Sequence, residues 1–462
     1  MTLKISLTLC SLLVSLGWGQ VDYPTYTRTD IHQDLEFLAQ KVTRIHPVFL
    51  IDPNAVTLWE THLQEAQKKI KERMTQNEFY LIVAPLLASL RDGHTAVTCP
   101  YEQRVIYMKQ KQGLSFPFAV DIQDRCIAIS EYYGEDETLF QGSEELLAIN
   151  GVKASEICET LRPLMGARGD AIAYGQIATS FRSLLWMRYG FEEDYTLEVK
   201  GDAGNIKHVT VPGIRNDQYL KNRERYQTNN RGRYDLSIDP NQSIAIMTLH
   251  SVADLEGFNT FAEQAFQRLA DEAIDALIID IRDNSGGRSV VVDALLGYLT
   301  DRAYSQYRQI DIRVSKNLCE HYRQQSSPQV DLIKDHPFDT LLSVGPQMTD
   351  PSVQEHRFRG RVVLLTNGRT YSGAATLAGV FKHLKLGTIV GEETGGTIEY
   401  YGDFWLMYLP HSGLQFHVSP KRFVQYGGSD MSRGVLPDVI IRDVDDAIMT
   451  FAFDLVRKHG TP

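Results

Sequence analysis

Ala276-Leu277-Ile278-Ile279-Asp280-Ile281 is a nearly continuous apolar run, and Arg282-Asp283-Asn284-Ser285-Gly286-Gly287 follows it directly. A short run rich in branched residues, bounded by turn formers, predicts a strand buried on both faces. The glycine pair after it lets backbone approach a ligand closely. A second stretch has the same construction: the apolar run 361–365 leads to Thr370-Tyr371-Ser372-Gly373-Ala374-Ala375. Ser372 there stands at the mouth of a predicted helix over 372–384, where amide N–H groups and the helix dipole favour negative charge. Together the two stretches have the parts of a nucleophile and an oxyanion hole, with Gly373 supplying one amide and Gly286 or Gly287 the other.

Around these stretches, strands and helices alternate. Strands are predicted near 243–249, at 276–281, 361–365 and 388–390, and helices over 255–270, 290–299, 372–384 and 444–458. Such alternation argues for a mainly parallel sheet with both faces covered. The segment 316–356 reads as irregular. Upstream, 215–236 is polar, rich in Arg and Asn, and reads as a linker. Residues 104–213 have the texture of short strands and turns, with strands at 116–122, 126–129 and 195–199 and an Asn150-Gly151 turn leading into a helix start; a small β-rich domain with one or two helices fits. Before that the chain is helical. Ile31, Leu35, Leu38, Val42 and Ile45 form one apolar stripe, a second helix covers 56–73, and Thr75-Gln76-Asn77-Glu78 is a capping box opening a third.

The whole chain has 462 residues, too many for one ordinary core. Its 43% hydrophobic content suits a globular protein, and a net charge of -11 argues against nucleic acid as a partner. Lys4, an apolar run from Ile5 to Leu16 and Gly17-Trp18-Gly19-Gln20 read as a secretory leader over residues 1–20. No segment has the length of a stable membrane span, so a periplasmic or extracellular location is expected. After the leader four cysteines remain, Cys99, Cys126, Cys158 and Cys319. They allow three pairings or free thiols. No metal-binding spacing occurs, and no cofactor is expected.

Ser372 needs a base. His94, on the turn Asp92-Gly93-His94-Thr95, is preferred, with His250, His411 and His417 as rivals. Asp430 and Glu392 or Glu393 are candidates for the acid that orients the base.

The motifs Asp92-Gly93-His94-Thr95, Ile149-Asn150-Gly151, the 280–287 stretch, Tyr371-Ser372-Gly373-Ala374-Ala375, Val390-Gly391-Glu392-Glu393-Thr394 and Gly434-Val435-Leu436-Pro437-Asp438 occur in the order found in the S41 peptidases. The chain resembles that family, the tail-specific and tricorn-like serine proteases. The resemblance implies an α/β multidomain fold: a helical N-terminal region over 21–100, a PDZ-like β-rich domain over 104–213, and a crotonase-like catalytic domain of ββα spirals over 237–462. It implies peptide-bond hydrolysis without a metal, acting on a peptide or unfolded protein. Gly113 and Leu114 resemble the loop of a PDZ domain that captures a peptide's C-terminal carboxylate. No lysine occurs between Lys385 and Lys421, which separates the chain from the Ser/Lys branch and points to the Ser/His branch. Within that branch an assisting serine has its place at Gly93 and a glutamate at Met431. Both departures raise the alternative of a weak or inactive S41-like binding protein. A small-molecule esterase or amidase is a narrower option, and the absence of a Gly-x-Ser-x-Gly elbow disfavours an α/β-hydrolase.

Overall fold

The structure is a computed structural model that describes residues 23–458, less positions 112, 137, 141, 143, 192, 202, 228–232, 443 and 445. The predicted leader lies outside the described residues.

The architecture is mixed α/β with several sheets. At its centre is a six-stranded sheet ordered Tyr234–Asp239, Ile244–Leu249, Ala276–Asp280, Arg361–Thr366, Thr388–Gly391, Val439–Ile440. Only the first pair is antiparallel, and the rest run parallel. Alternate residues of these strands feed opposite cores, as the pleat requires. Leu277, Ile279 and Leu364 pack with helices Leu255–Asp271, Ser289–Leu299 and Gly373–Leu384 on one face. Ala276, Ile278, Val363 and Leu365 pack under helix Ala447–Lys458 on the other. Coverage on both faces is why residues 276–279 of this strand are all apolar. Truncating a side chain such as Ile279 to alanine would cost about 2–5 kcal/mol.

The N-terminal region contains helices Arg28–Ile45, Pro53–Lys68 and Gln76–Ala88. Every residue of the predicted stripe, from Ile31 to Ile45, is buried. The capping box is formed: Thr75 accepts from the Glu78 amide, and Glu78 accepts from the Thr75 amide. The second helix ends earlier than expected, because Arg73–Thr75 leaves it to pair with Thr25–Thr27.

The middle region carries an antiparallel sheet of Phe118–Gln123, Cys126–Tyr132, Glu145–Ile149, Asp194–Lys200 and Ile206–Pro212. Asn150 and Gly151 take φ 47° and 79°, the left-handed pair that a tight hairpin demands. The expected one or two helices are Ala154–Leu161, just after the Asn150-Gly151 turn, and the longer Asp170–Tyr189; a further helix, Glu102–Lys111, leads into the region. The long one buries residues around much of its circumference, so its sequence shows little periodicity, and Gly190 at φ 66° ends it.

Two further expectations need correction. The segment read as a linker contains helix Asn216–Gln227 and strand Tyr234–Asp239. The segment read as irregular contains helix Lys316–Gln324 and strand Thr340–Val344. That strand belongs to a four-stranded antiparallel sheet with Tyr307–Val314, Lys421–Gln425 and Glu399–Gly402. A last small sheet joins the ends of the chain: Ala96–Val97 pairs with Gln415–Val418, which pairs with Trp405–Tyr408. Cys99, Cys126, Cys158 and Cys319 are unpaired thiols.

Candidate active site

The two stretches that opened the sequence reading are stitched together at the ends of neighbouring parallel strands. The Tyr371 amide donates to Asn284 O at 2.9 Å, and Thr370 Oγ1 donates to Ile281 O at 3.0 Å. Asn367 Oδ1 accepts from the Asp283 amide while its Nδ2 donates to Asp283 Oδ1, each at 3.1 Å. Asn284 is wholly buried, donating to Leu249 O and accepting from the Gly286 amide at 2.8 Å.

Ser372 sits immediately before helix Gly373–Leu384 with φ 48° and ψ -125°. This conformation is strained for a residue with a Cβ, at about 1–3 kcal/mol. It throws Oγ forward of the helix mouth. Gly286, at φ 100°, packs so closely that a Cβ there would stand 2.6 Å from Ser372 Cβ. Among the described residues neither the Gly373 nor the Gly287 N–H has a protein acceptor, and Gly287 N is near Gly373. Both amides are therefore open toward Ser372. The Gly286 amide, an alternative in the sequence reading, is already held by Asn284.

His94 reaches this point from the far end of the chain. Strand Ala96–Val97, just after it, is clamped against Gln415–Val418. Its Nε2 lies 3.1 Å from Ser372 Oγ, a contact between residues 278 positions apart. On the other ring nitrogen, Nδ1 faces Tyr371 Oη at 3.3 Å and Asp92 Oδ1 at 3.7 Å. The Tyr371 ring stacks on the imidazole with centroids 5.0 Å apart.

Asp92, which opens the motif containing His94, places a carboxylate near Nδ1 and is not among the acids singled out from sequence. Its side chain is 2% exposed. It accepts from Ser419 Oγ at 2.7 Å and from the His94 amide at 2.9 Å. His46 Nε2 lies 3.4 Å away, and because His46 Nδ1 accepts from the Val48 amide, Nε2 carries the proton and donates. Burial alone would raise the Asp92 carboxyl, but the hydrogen bonds from His46 and His94 hold it well below the usual carboxylate range. A fixed carboxylate near Nδ1 favours the tautomer protonated there. That leaves the Nε2 lone pair to accept from Ser372.

The acids proposed from sequence are elsewhere. Asp430 is exposed and accepts from the Ser432 amide and hydroxyl. Glu393 accepts from Arg433 and from the Gly434 amide. It lines a separate cleft of about 880 Å³ beside Trp59 and Arg168. The Glu392 carboxylate accepts from the Gly368 amide. His250 pairs with Asp235, and His411 with Asp30. His417 is half-buried against Phe404, and loss of solvent around its ring drives its pKa down to about 4. At the Gly113–Leu114 loop the Tyr107 ring lies against Gly113, and the Ser115 amide donates to Ile214 O.

Ser372, Gly373, Gly287 and His94 share a cleft of about 840 Å³, walled by Tyr307, Ile310, Tyr400, Phe404 and Phe423. A nucleophilic hydroxyl, a base, free amides and an aromatic wall are the parts of acyl transfer.

Residues 243–441 match Peptidase family S41. His94 and Asp92 lie outside the matched residues and come from the N-terminal region. Mature CPAF has a similar fold, at 14% identity and TM-score 0.65, over 94% of this chain and 99% of that chain. Mature CPAF complexed with lactacystin gives 15% identity and TM-score 0.66, over 93% of this chain and 98% of that one.

Proposed function

On the premise that this chain carries the catalytic region of the S41 peptidases and is a serine-type hydrolase, we propose that it cleaves peptide bonds through an acyl-enzyme on Ser372. His94 Nε2 takes the Ser372 proton as Oγ attacks the scissile carbonyl. The oxyanion that forms is held by the Gly373 and Gly287 amides at the positive end of the helix. The proton then passes from Nε2 to the leaving amine, which departs. Water, deprotonated by the same imidazole, hydrolyses the ester and regenerates the hydroxyl. Asp92 stabilises the transient imidazolium from the Nδ1 side.

One observation carries this reading: the 3.1 Å contact between His94 Nε2 and Ser372 Oγ, made between residues 278 positions apart in the chain. Its test is hydrolysis of a permanently unfolded protein by the intact enzyme and by Ser372→Ala. We expect the variant to lose hydrolysis while keeping its unfolding midpoint; undiminished hydrolysis would contradict the assignment.

The reading extends to organisation. We propose that 104–213 is a PDZ-like domain, supported by its six-stranded antiparallel sheet with accompanying helices. The region 237–462 is proposed as crotonase-like, supported by its successive strand and helix units. Residues 1–20 are proposed as an export leader, giving a periplasmic or extracellular enzyme. Among the described residues no helix is long and apolar enough to cross a membrane. The inactive-binder alternative rests on Gly93 in place of a serine and Met431 in place of a glutamate, and Asp92 near Nδ1 weakens the second of these motives.

A further inference from the structure

From Asp403 to Lys421 the sequence runs through Phe404 to Pro420 without one Asp, Glu, Lys or Arg between. This stretch is a hairpin, with strand Trp405–Tyr408 at the edge of its sheet, paired on one side only. Edge strands are ordinarily protected by charges, prolines or bulges. Here the strand has none of these.

Its two faces divide by the pleat. Trp405 and Met407 turn inward and pack against cores. Phe404, Leu406 and Tyr408 turn outward and are 44%, 53% and 58% exposed. Three large apolar side chains on alternate positions make a ridge about 13 Å long. That is the reach of roughly four residues of extended chain. Phe404, at the start of the ridge, also walls the Ser372 cleft and lies 5.7 Å, ring to ring, from His94.

We propose that this ridge is a docking surface for an extended, apolar segment of the polypeptide substrate, continuous with the cleft at Ser372. The inference rests on the peptidase reading, whose substrate is already a peptide or unfolded chain, and adds to it that the segment lying beside the cleft is apolar. Continuity selects this occupant, because a chain whose scissile bond lies at Ser372 and which leaves past Phe404 meets Leu406 and Tyr408 next. Burial of those side chains against apolar substrate residues supplies affinity away from the reacting bond. The uncharged hairpin imposes no charge preference on that segment.

The test uses full-length protein carrying Ser372→Ala, so that substrate binds without turnover. The probe is reduced, carboxymethylated α-lactalbumin bearing fluorescein, with binding followed by anisotropy. Adding Leu406→Ser and Tyr408→Ser together should weaken binding at least tenfold; a Kd within twofold of the parent, or no binding by the parent, overturns the proposal. In protein retaining Ser372, the same two substitutions should leave the rate of Ser372 labelling by an aryl phosphonate unchanged. A matching fall in labelling would mean that they act through the fold, and would also overturn it. If the unsubstituted protein binds the probe but Ser372 is never labelled, the peptidase reading fails while the docking surface stands. A dimer abolished by the same substitutions would assign the ridge to a second copy of the chain and contradict the proposal.

Discussion

The Tyr371 hydroxyl lies 3.3 Å from His94 Nδ1 and occupies the space into which a side chain at position 93 would project. A Cβ on Gly93 would stand 2.5 Å from that hydroxyl. Gly93 is where the resemblance to the Ser/His peptidases implies a second serine. Here the tyrosine next to the nucleophile fills that volume instead, and its ring supports the imidazole by stacking.

Gly93→Ala should therefore push Tyr371 and His94 out of register and lower kcat/KM by about 10²-fold, the cost of displacing a catalytic group by about 1 Å. Tyr371→Phe removes the colliding oxygen. Combined with Gly93→Ala it should recover part of the loss, which steady-state kinetics on the single and double variants will read as a non-additive pair.

Asp92→Asn keeps the shape of the buried knot but lets an amide face His94. By the tautomer argument it should lower kcat by about 10⁴-fold with little change in KM. Asp430→Asn and Glu393→Gln, the acids first expected from sequence, should leave kcat unchanged. A large loss in either of those variants, with Asp92→Asn active, would reverse the assignment.

Ser372 holds φ 48°, a conformation that glycine adopts freely. Ser372→Gly should thus be inactive yet more stable, by about 1 kcal/mol in denaturant unfolding. Such a gain would show that the strain serves the nucleophile's placement and not the fold.

Acid should destabilise the protein in two steps. His417 is half-buried among Phe404, Asp92 and His94, and its pKa falls to about 4, so between that value and its ordinary pKa near 6.5 the unfolded chain holds a proton that the folded one does not. Stability should therefore fall as pH drops through this window, by on the order of 3 kcal/mol. Urea unfolding at pH 7 and pH 4.5 should show a smaller loss for His417→Leu. Asp92 acts lower. Its folded pKa is depressed, so its contribution is full above the unfolded value near 3.9 and disappears as pH falls through the folded one.

Much of this was legible in sequence because it obeys local rules. The buried strand at 276, the helix after Ser372, the Thr75 capping box and the Asn150-Gly151 turn each follow from residue type and spacing. Ser372 and His94 stand out in the sequence because a glycine-flanked serine at a helix mouth and a histidine on a tight turn are recognisable shapes, and the fold brings the two side chains together. Asp92 was passed over because it reads as a turn acid. Its role depends on His46, Ser419 and His94 converging on it, and contacts across 327 positions leave no local trace. Helix Asp170–Tyr189 has no position in the sequence reading because burial around much of its surface erases the amphipathic period. Helix Asn216–Gln227 escaped for the opposite reason, being polar nearly throughout.

The most direct measurement is the rate at which an aryl phosphonate labels the protein, with the modified residue located by mass spectrometry. The account predicts one adduct, on Ser372, formed at least a hundredfold more slowly in His94→Ala. An adduct on another residue, or labelling of Ser372 at the same rate without His94, would contradict it.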